Sequence, residues 1–271
     1  MPFFENRNMR LHYKEGGSGL PFIFQHGLGA DVNQPFGLFK PPASIRLIAL
    51  DARGHGQSET GPAEEISLSA SADDLVNLIK YLEIPGAVLG GISMGAAIAL
   101  VFALRYPAKA LGLVLSRPAS LDCPNPFNQK MFALIAGLIK TAGPEEGLRA
   151  LQELPAFKEL ELEFPDTANS LSNQFKHPRA REMATNLSSI PNESPLNDLE
   201  QARSIICPTL ILANKKDPIH PYEHGVRLAQ AIPGAQFREI ASKSVDLNQH
   251  LREVQRFIQE FLSQTYLSIP R

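Results

Sequence analysis

Val88-Leu89-Gly90-Gly91-Ile92-Ser93-Met94-Gly95-Ala96-Ala97-Ile98-Ala99-Leu100 is an apolar run that enters Gly-x-Ser-x-Gly and leaves it as a small-residue helical pattern. This layout is typical of a nucleophile elbow, a sharp turn from strand to helix that pushes a serine hydroxyl out of the sheet. Glycines flank the serine because a Cβ two residues before or after it would clash in so tight a turn. Ser93 is therefore predicted to be a nucleophile. The Met94 N–H is predicted to donate to a developing oxyanion. The alternative is a glycine-rich turn that holds a serine by chance.

The composition fits one large α/β domain, or such a core with an inserted subdomain. The chain has 271 residues, of which 44% are hydrophobic and 20% charged, so it can bury a sizeable core. A net charge of −2 gives no reason to expect nucleic acid or an anionic membrane as a partner. Neither a signal-peptide core nor a membrane-length apolar run is seen in the sequence, and the two cysteines predict no disulfide framework. We expect a soluble, cytoplasmic protein.

Short apolar runs alternate with amphipathic patterns on both sides of the elbow. Strands are predicted at 9–15, 21–25, 45–50, 87–91, 111–115, 209–213 and 235–240, and helices at 69–82, 93–105, 223–232 and 248–262. This alternation indicates an α/β fold, a mostly parallel sheet with helices on both faces and ligands at the carboxyl ends of its strands. His12 has the opposite parity from its apolar neighbours in the first strand and is predicted to be exposed.

The segment 118–198 differs in character, because prolines divide it into short helical pieces with no strand-like run. Its position between two buried strands predicts a helical cap inserted into a core domain of residues 1–117 and 199–271. Phe132 is one of several large apolar side chains there. These side chains could line a site for an apolar acyl group or form the interior of the cap itself.

Two loops are predicted to reach the same edge of the sheet as Ser93. His26-Gly27-Leu28-Gly29 follows an apolar strand, and its glycines would let the Leu28 N–H complete an oxyanion hole with Met94. His26 itself is interpreted as a structural residue. Arg117 follows another strand and could hold a substrate carboxylate or pair with an acid of the cap such as Asp122.

Four motifs together resemble the α/β-hydrolase fold superfamily, in particular its esterases, lactonases and C–C hydrolases with a helical cap. They are His26-Gly27-Leu28-Gly29, Asp51-x-Arg53-Gly54-His55-Gly56-x-Ser58, Gly91-x-Ser93-x-Gly95 and Asp217-Pro218. The resemblance implies a Ser…Asp…His order, with Ser93 as the nucleophile and Asp217 as the acid that orients the histidine. It also implies that Asp51, Arg53 and His55 are structural residues.

The histidine departs from the family pattern. The family usually places it within a few residues of the last strand, often as Gly-His, whereas this chain has Ala241-Ser242-Lys243-Ser244 there. His250, at the start of the closing helix, is predicted to be the base and to reach Ser93 through a longer loop. The alternatives are an incomplete triad, or His220 or His224 as the base. His220 is also a candidate for contact with the substrate.

The preferred hypothesis is a cytoplasmic serine hydrolase that cleaves a small ester, thioester or lactone through an acyl-enzyme. The alternatives are a C–C bond hydrolase or cofactor-free perhydrolase with the same triad, or a ligand-binding relative with little turnover. Arg117, His220 and Phe132 are the candidate substrate contacts. No metal or organic cofactor is implied, because none of the predicted helices carries a His-x-x-x-His pair and the sequence has no cysteine cluster. A small molecule is the expected partner, with neither nucleic acid nor membrane, and the protein is expected to be a monomer or homodimer.

Overall fold

The computed structural model describes residues 2–124 and 126–267, and a single sheet organises them. The eight strands are β1 (Phe3–Asn6), β2 (Met9–Gly17), β3 (Leu20–Gln25), β4 (Ile45–Leu50), β5 (Ala87–Ile92), β6 (Ala110–Ser116), β7 (Thr209–Ala213) and β8 (Gln236–Glu239). Their spatial order is β1-β2-β4-β3-β5-β6-β7-β8. β2 runs antiparallel to both of its neighbours, and all the other pairs are parallel. The mostly parallel sheet predicted from the sequence is confirmed.

Ten α-helices accompany the sheet in the described residues. They are α1 (Asn33–Leu38), α2 (Leu68–Tyr81), α3 (Met94–Arg105), α4 (Lys130–Ala142), α5 (Pro144–Glu153), α6 (Pro155–Glu163), α7 (Pro165–Lys176), α8 (Ala180–Ser189), α9 (Tyr222–Ala231) and α10 (Leu247–Leu262).

Both faces of the sheet are covered, as a parallel sheet requires. Alternate residues of β5 join two different apolar clusters. Leu89 packs in the cluster that includes α2, α3 and Leu228 of α9, whereas Val88 packs in the cluster that includes Val254 and Ile258 of α10. β5 is thus buried on both faces, and the turn that follows it is held at the centre of the molecule.

Helices α4 to α8 lie between β6 and β7 and form a block with its own apolar interior. Ile135, Leu171 and Met183 are fully buried in that interior, and Leu28 and Ile219 from the sheet side pack against it. This block falls within the segment predicted to be a cap. The domain boundaries at 117/118 and 198/199 stay a prediction.

His12 was predicted to be exposed, and this prediction is wrong, because its side chain is buried at 1% exposure. Its Nδ1 lies 2.6 Å from Asp51 Oδ2, and its N–H donates to Ser58 Oγ at 2.9 Å. The loop after β4 therefore covers the face of β2 that alternation assigned to solvent. A period of two identifies the two faces of a strand, but it does not show whether a distant loop covers the second one.

Candidate active site

Ser93 sits on the predicted strand-to-helix turn, with φ +56° and ψ −113° between β5 and α3. A positive φ is unusual for a non-glycine residue and stores strain that the surrounding packing must hold. The flanking glycines allow the turn. A Cβ on Gly95 would lie 2.5 Å from the Gln25 carbonyl oxygen, and one on Gly91 would collide with the Gly95 backbone. The Ser93 N–H donates to Ser116 O at 3.0 Å, which ties the turn to the end of β6.

A cavity of about 190 Å³ opens in front of Ser93. The residues that line it are Gly27, Leu28, Gln34, Ile92, Ser93, Arg117, Phe132, Asp166, Thr167, Asn169, Ser170, Asn173, Asp217, Ile219, His220 and Lys243. A much smaller pocket, about 20 Å³ in volume, lies on another side of Ser93, and Leu28, Met94 and Phe132 are among its walls. The structure thus brings together most of the residues singled out in the sequence.

The loop after β3 lies against the elbow. A Cβ on Gly27 would be 3.6 Å from Ser93 Cβ, and the Gly27 N–H is held by Gln34 Oε1 at 2.8 Å. Among residues 2–124 and 126–267, neither the Leu28 nor the Met94 N–H donates a hydrogen bond. Both amides are therefore available to an oxygen bound beside Ser93, as an oxyanion hole needs.

Asp217 follows β7 and holds two cavity residues at once. Its Oδ1 accepts from the His220 Nδ1 at 2.8 Å and from the Ile219 and His220 N–H groups at 3.2 and 3.1 Å. Its Oδ2 accepts from the Arg117 Nη1 at 3.2 Å. Because Nδ1 carries the proton in this pairing, the neutral His220 ring keeps its Nε2 lone pair as a base.

Burial and charge set the protonation states of this pair. Burial alone would raise the pKa of Asp217, but contact with His220 and Arg117 lowers it below its usual value. Burial lowers the pKa of His220 below 6.5, helped by Arg117 and Lys243 and opposed by Asp217. At neutral pH the pair is therefore an ionised carboxylate beside a neutral imidazole, the form in which a general base begins its work.

His250 is placed differently from its predicted role. It is 1% exposed, and its Nδ1 bonds to the Ala241 carbonyl oxygen at 2.8 Å, so it makes no hydrogen bond to Asp217. The described residues that line the cavity do not include it. Asp246 caps α10 by accepting from the Gln249 N–H at 2.8 Å, and His250 is held in the first turn of that helix. The structure pairs Asp217 with His220 in place of His250. His224, the other rival for the base, lies in α9 and is likewise outside that lining.

Lys243 was not assigned a role from the sequence, yet it lines the cavity with Ser93. It follows β8 at the place where the family resemblance puts a histidine. Repulsion from Arg117 and partial burial lower its pKa to about 8, although Asp166 and Asp217 oppose the shift. The missing Gly-His was the signal that could have directed attention to it.

Arg117 is buried at 7% exposure and has a positive φ of 50°. Its N–H donates to Leu212 O at 2.7 Å, which fixes it between β6 and β7. The guanidinium pairs with Asp217. Asp122, the cap acid proposed as an alternative partner, pairs instead with Arg227 at 3.0 Å. The Arg117 Nε is buried without a hydrogen-bond partner.

Helix α7 gives the cavity a polar wall that the sequence analysis missed. Its apolar residues Ala168, Leu171 and Phe175 point into the helical block, which leaves Asp166, Asn169, Ser170 and Asn173 on the cavity side. The spacing of these four polar residues was the available signal. Phe132 lines the cavity and also packs in the interior of the block, but Phe157 is buried within the block and Phe127 is 86% exposed. The cap aromatics therefore do not form an apolar lining.

His26, Arg53 and His55 were interpreted as structural residues. Their side chains bond to the main chain or to Asp74 of helix α2. His26 Nε2 accepts from the Ala52 N–H at 3.0 Å, and its Nδ1 donates to Gly27 O at 2.8 Å. Arg53 donates to both oxygens of Asp74 at 2.7 and 2.9 Å. His55 Nδ1 bonds to Arg53 O at 3.0 Å. Within the described residues, no group of three or more His, Cys, Asp or Glu side chains is arranged to hold a metal ion.

Comparison with known proteins decides the family. The sequence model of a family described as alpha/beta hydrolase fold matches residues 21–243, which span the elbow, the helical block and the end of β8. The chain belongs to the α/β hydrolase fold family. It is a hydrolase by the same comparison, since its relatives carry hydrolase names.

This hydrolase is similar to several curated proteins over most of its length. It is 29% identical over 244 residues to the AB hydrolase superfamily protein YisY of Bacillus subtilis (strain 168), covering 83% of this chain and 84% of that protein. It is 28% identical over 250 residues to the 2-hydroxy-6-oxononadienedioate/2-hydroxy-6-oxononatrienedioate hydrolase of Comamonas testosteroni, covering 84% and 82%. The enol-lactonase structure from Burkholderia xenovorans LB400 has the same fold, with a TM-score of 0.76, 23% identity and coverage of 97% and 100%. No helix in the described part of this hydrolase is long and apolar enough to cross a membrane.

Proposed function

We propose that this hydrolase cleaves a small ester, thioester or lactone through an acyl-enzyme intermediate on Ser93. The observation that carries the proposal is one cavity that joins a strained serine to an aspartate–histidine pair. Its volume of about 190 Å³ is below the roughly 300 Å³ at which pockets for drug-sized ligands begin. A small substrate is therefore favoured.

In the proposed reaction, Ser93 Oγ attacks the carbonyl carbon and passes its proton to His220 Nε2. Asp217 holds the Nδ1 proton of His220 and stabilises the imidazolium that forms. The carbonyl oxygen, now an anion, accepts from the Leu28 and Met94 N–H groups. The protonated His220 then gives its proton to the leaving oxygen or sulfur, and a water molecule releases the acid by the same steps in reverse.

The assignment of the base differs from the one made on the sequence. His220 is proposed because Asp217 holds it by a direct hydrogen bond and because it shares the cavity with Ser93. His250 lacks both features. It is proposed instead to support the loop that carries Lys243, through its bond to Ala241 O.

Labelling with a fluorophosphonate probe tests the nucleophile. The wild type should be labelled on one serine and should hydrolyse p-nitrophenyl acetate. Ser93→Ala should remove the label and lower kcat/KM about 10⁴-fold or more. Ser69→Ala, on the exposed side of α2, is the matched control and should label like the wild type. Equal labelling of wild type and Ser93→Ala would refute the proposal.

Hydrolysis of a carbon–carbon bond by the same residues is the second candidate. It is favoured by similarity to the Comamonas hydrolase and to the 2-hydroxymuconate semialdehyde hydrolase of Pseudomonas putida, which is 25% identical over 265 residues. Cleavage of a β-diketone with no turnover of esters would favour this reaction over ester hydrolysis.

A further inference from the structure

The cavity beside Ser93 contains two cations that neither attack the substrate nor transfer a proton in the proposed reaction. Arg117 reaches the cavity from the end of β6, and Lys243 reaches it from the loop after β8. One guanidinium nitrogen of Arg117, Nη1, donates to Asp217, and its Nε is buried without a hydrogen-bond partner. Within residues 2–124 and 126–267, no hydrogen bond or ion pair reaches the Lys243 ammonium.

We infer that Arg117 and Lys243, the cationic pair, form a receptor for a carboxylate carried by the substrate of Ser93. The inference rests on the proposed function and names its substrate class, a short ester, thioester or lactone with a free acid group. Guanidinium and ammonium groups supply charge-assisted hydrogen bonds to carboxylates, which are about twice as strong as neutral ones.

The acids of the cavity do not neutralise this pair completely. Both oxygens of Asp217 already accept hydrogen bonds, from His220 and Ile219 on one side and from Arg117 on the other. Asp166 lines the same cavity from the start of α7 and attracts Lys243. The pKa of Lys243 falls to about 8, because repulsion from Arg117 and burial together outweigh the attraction of Asp166 and Asp217. An added anion between the two cations would relieve that repulsion.

The remaining walls also suit an acid better than a long acyl chain. Asn169, Ser170 and Asn173 offer hydrogen bonds from α7, and Phe132 is the single Phe, Tyr or Trp among the lining residues described. The apolar pocket on the other side of Ser93 holds only about 20 Å³, room for about one water molecule. A substrate of a few carbons with a terminal carboxylate fits these limits.

Two esters of the same shape and different charge test the receptor. Monomethyl succinate carries the carboxylate, and methyl 4-methylpentanoate replaces it with an isopropyl group. The wild type should show a kcat/KM about tenfold or more higher for monomethyl succinate, since hydrogen bonds to charged groups are stronger than those between neutral groups. Lys243→Met should lower that ratio by a similar factor, and Lys243→Arg should restore most of it.

Lys216→Met is the matched control. Lys216 is exposed, precedes Asp217 directly and does not line the cavity, so this variant removes the same charge nearby without touching the receptor. Its ratio should stay within about twofold of the wild type, because exposed charges are screened by salt. An equal fall of the ratio in both variants would attribute the preference to general electrostatics and overturn the inference.

A binding measurement separates this inference from the proposed function. Ser93→Ala cannot form an acyl-enzyme, and calorimetry on it should detect monomethyl succinate and not the neutral ester. Adding Lys243→Met should weaken that binding about tenfold or more. Thermal unfolding of each variant checks that it is folded.

Each remaining outcome has a definite meaning. Ester turnover without preference for the anion, or equal binding of both esters by Ser93→Ala, refutes the receptor and leaves the proposed function intact. Binding of the anion without any hydrolysis supports the receptor and refutes the proposed function. If folded Lys243→Met loses turnover of both esters and labelling of Ser93, Lys243 is a proton acceptor, and its role as a carboxylate ligand is wrong.

Discussion

His220 is the residue whose replacement tests the proposed mechanism most directly. His220→Gln should lower kcat/KM for p-nitrophenyl acetate about 10²–10⁴-fold, the usual contribution of a general base. His250→Gln should lower it much less, because His250 bonds to Ala241 O outside the cavity. The measurement is steady-state hydrolysis on variants with matched thermal unfolding. A larger loss in His250→Gln than in His220→Gln would return the base assignment to His250.

The pH profile of the wild type gives an independent check on His220. The base must be neutral, and burial lowers the pKa of His220 below 6.5. Activity should therefore be present at neutral pH and fall as the pH decreases through a value below 6.5, where His220 becomes protonated. That acidic limb should disappear in the residual activity of His220→Gln. An acidic limb unchanged by the substitution would assign it to another group.

The titration of Lys243 should change the affinity for an anionic ligand at alkaline pH. The charged and titratable groups that face it are Arg117, Asp166, Asp217, His220 and His250, and burial lowers the pKa of both histidines below 6.5. Arg117 keeps its charge and His220 is already neutral, so Lys243, with a pKa of about 8, is the group expected to titrate. Monomethyl succinate should bind Ser93→Ala more weakly as the pH rises through about 8 and Lys243 loses its charge. Calorimetry from pH 7 to 9 measures this, and an unchanged affinity in that range would contradict the inferred receptor.

Single residues of the site were predictable from the sequence to the extent that their contacts are local. Asp217 and His220 are three residues apart and share one turn, so their pairing needs no distant element, yet the family pattern of a histidine after the last strand favoured His250 in the sequence. The position of Ser93 on its turn is likewise local, because Gly91 and Gly95 beside it allow the turn to form. Lys243 and Arg117 line the same cavity only because β6, β7 and β8 are neighbours in the sheet. The periodicity of a sequence does not show which strands are neighbours.

At the scale of elements, the elbow between β5 and α3 should be the least tolerant turn. Gly95→Ala places a Cβ 2.5 Å from the Gln25 carbonyl oxygen, and backbone atoms there cannot move aside. We expect a loss of more than about 2 kcal/mol in the free energy of unfolding, as for other overpacked sites. Gly137→Ala, on the exposed side of α4 with open space around it, is the matched control. It should stabilise the protein by about 0.5–1 kcal/mol, because alanine loses less backbone entropy. Urea unfolding measures both, and similar values for the two would contradict the steric argument.

Elements with strong local signals were predicted within a residue or two. The closing helix was expected at 248–262 and spans Leu247–Leu262, because Asp246 caps it and its apolar residues fall on one face. Two elements had no such signal. α6 buries only Phe157, so its apolar period is weak. β1 is a four-residue strand that exists through its pairing with β2, a contact that local pattern does not encode.

At the scale of the whole molecule, Arg179 fastens the helical block to the loop that follows β4. It precedes α8, and its guanidinium donates to Gly56 O at 3.1 Å, Ser58 O at 2.7 Å and Thr60 Oγ1 at 3.0 Å. The block carries the α7 wall of the cavity, so the position of this wall depends on how the block is held. Alternating strands and prolines predict that a cap exists, but they do not show which side chains attach it.

Loss of this attachment should loosen the block without unfolding the sheet. In Arg179→Met, hydrogen–deuterium exchange of α7 and α8 should quicken about tenfold or more, since hydrogen bonds from a charged donor contribute about 1.5–3 kcal/mol. Exchange in β5 and α3 should change little. Arg149→Met is the control, because Arg149 is exposed on α5 and pairs only with Glu146 of the same helix in the described structure. Equal exchange in α7 and α8 of the two variants would mean that the apolar contacts of Leu28 and Ile219 with the block hold it in place without Arg179.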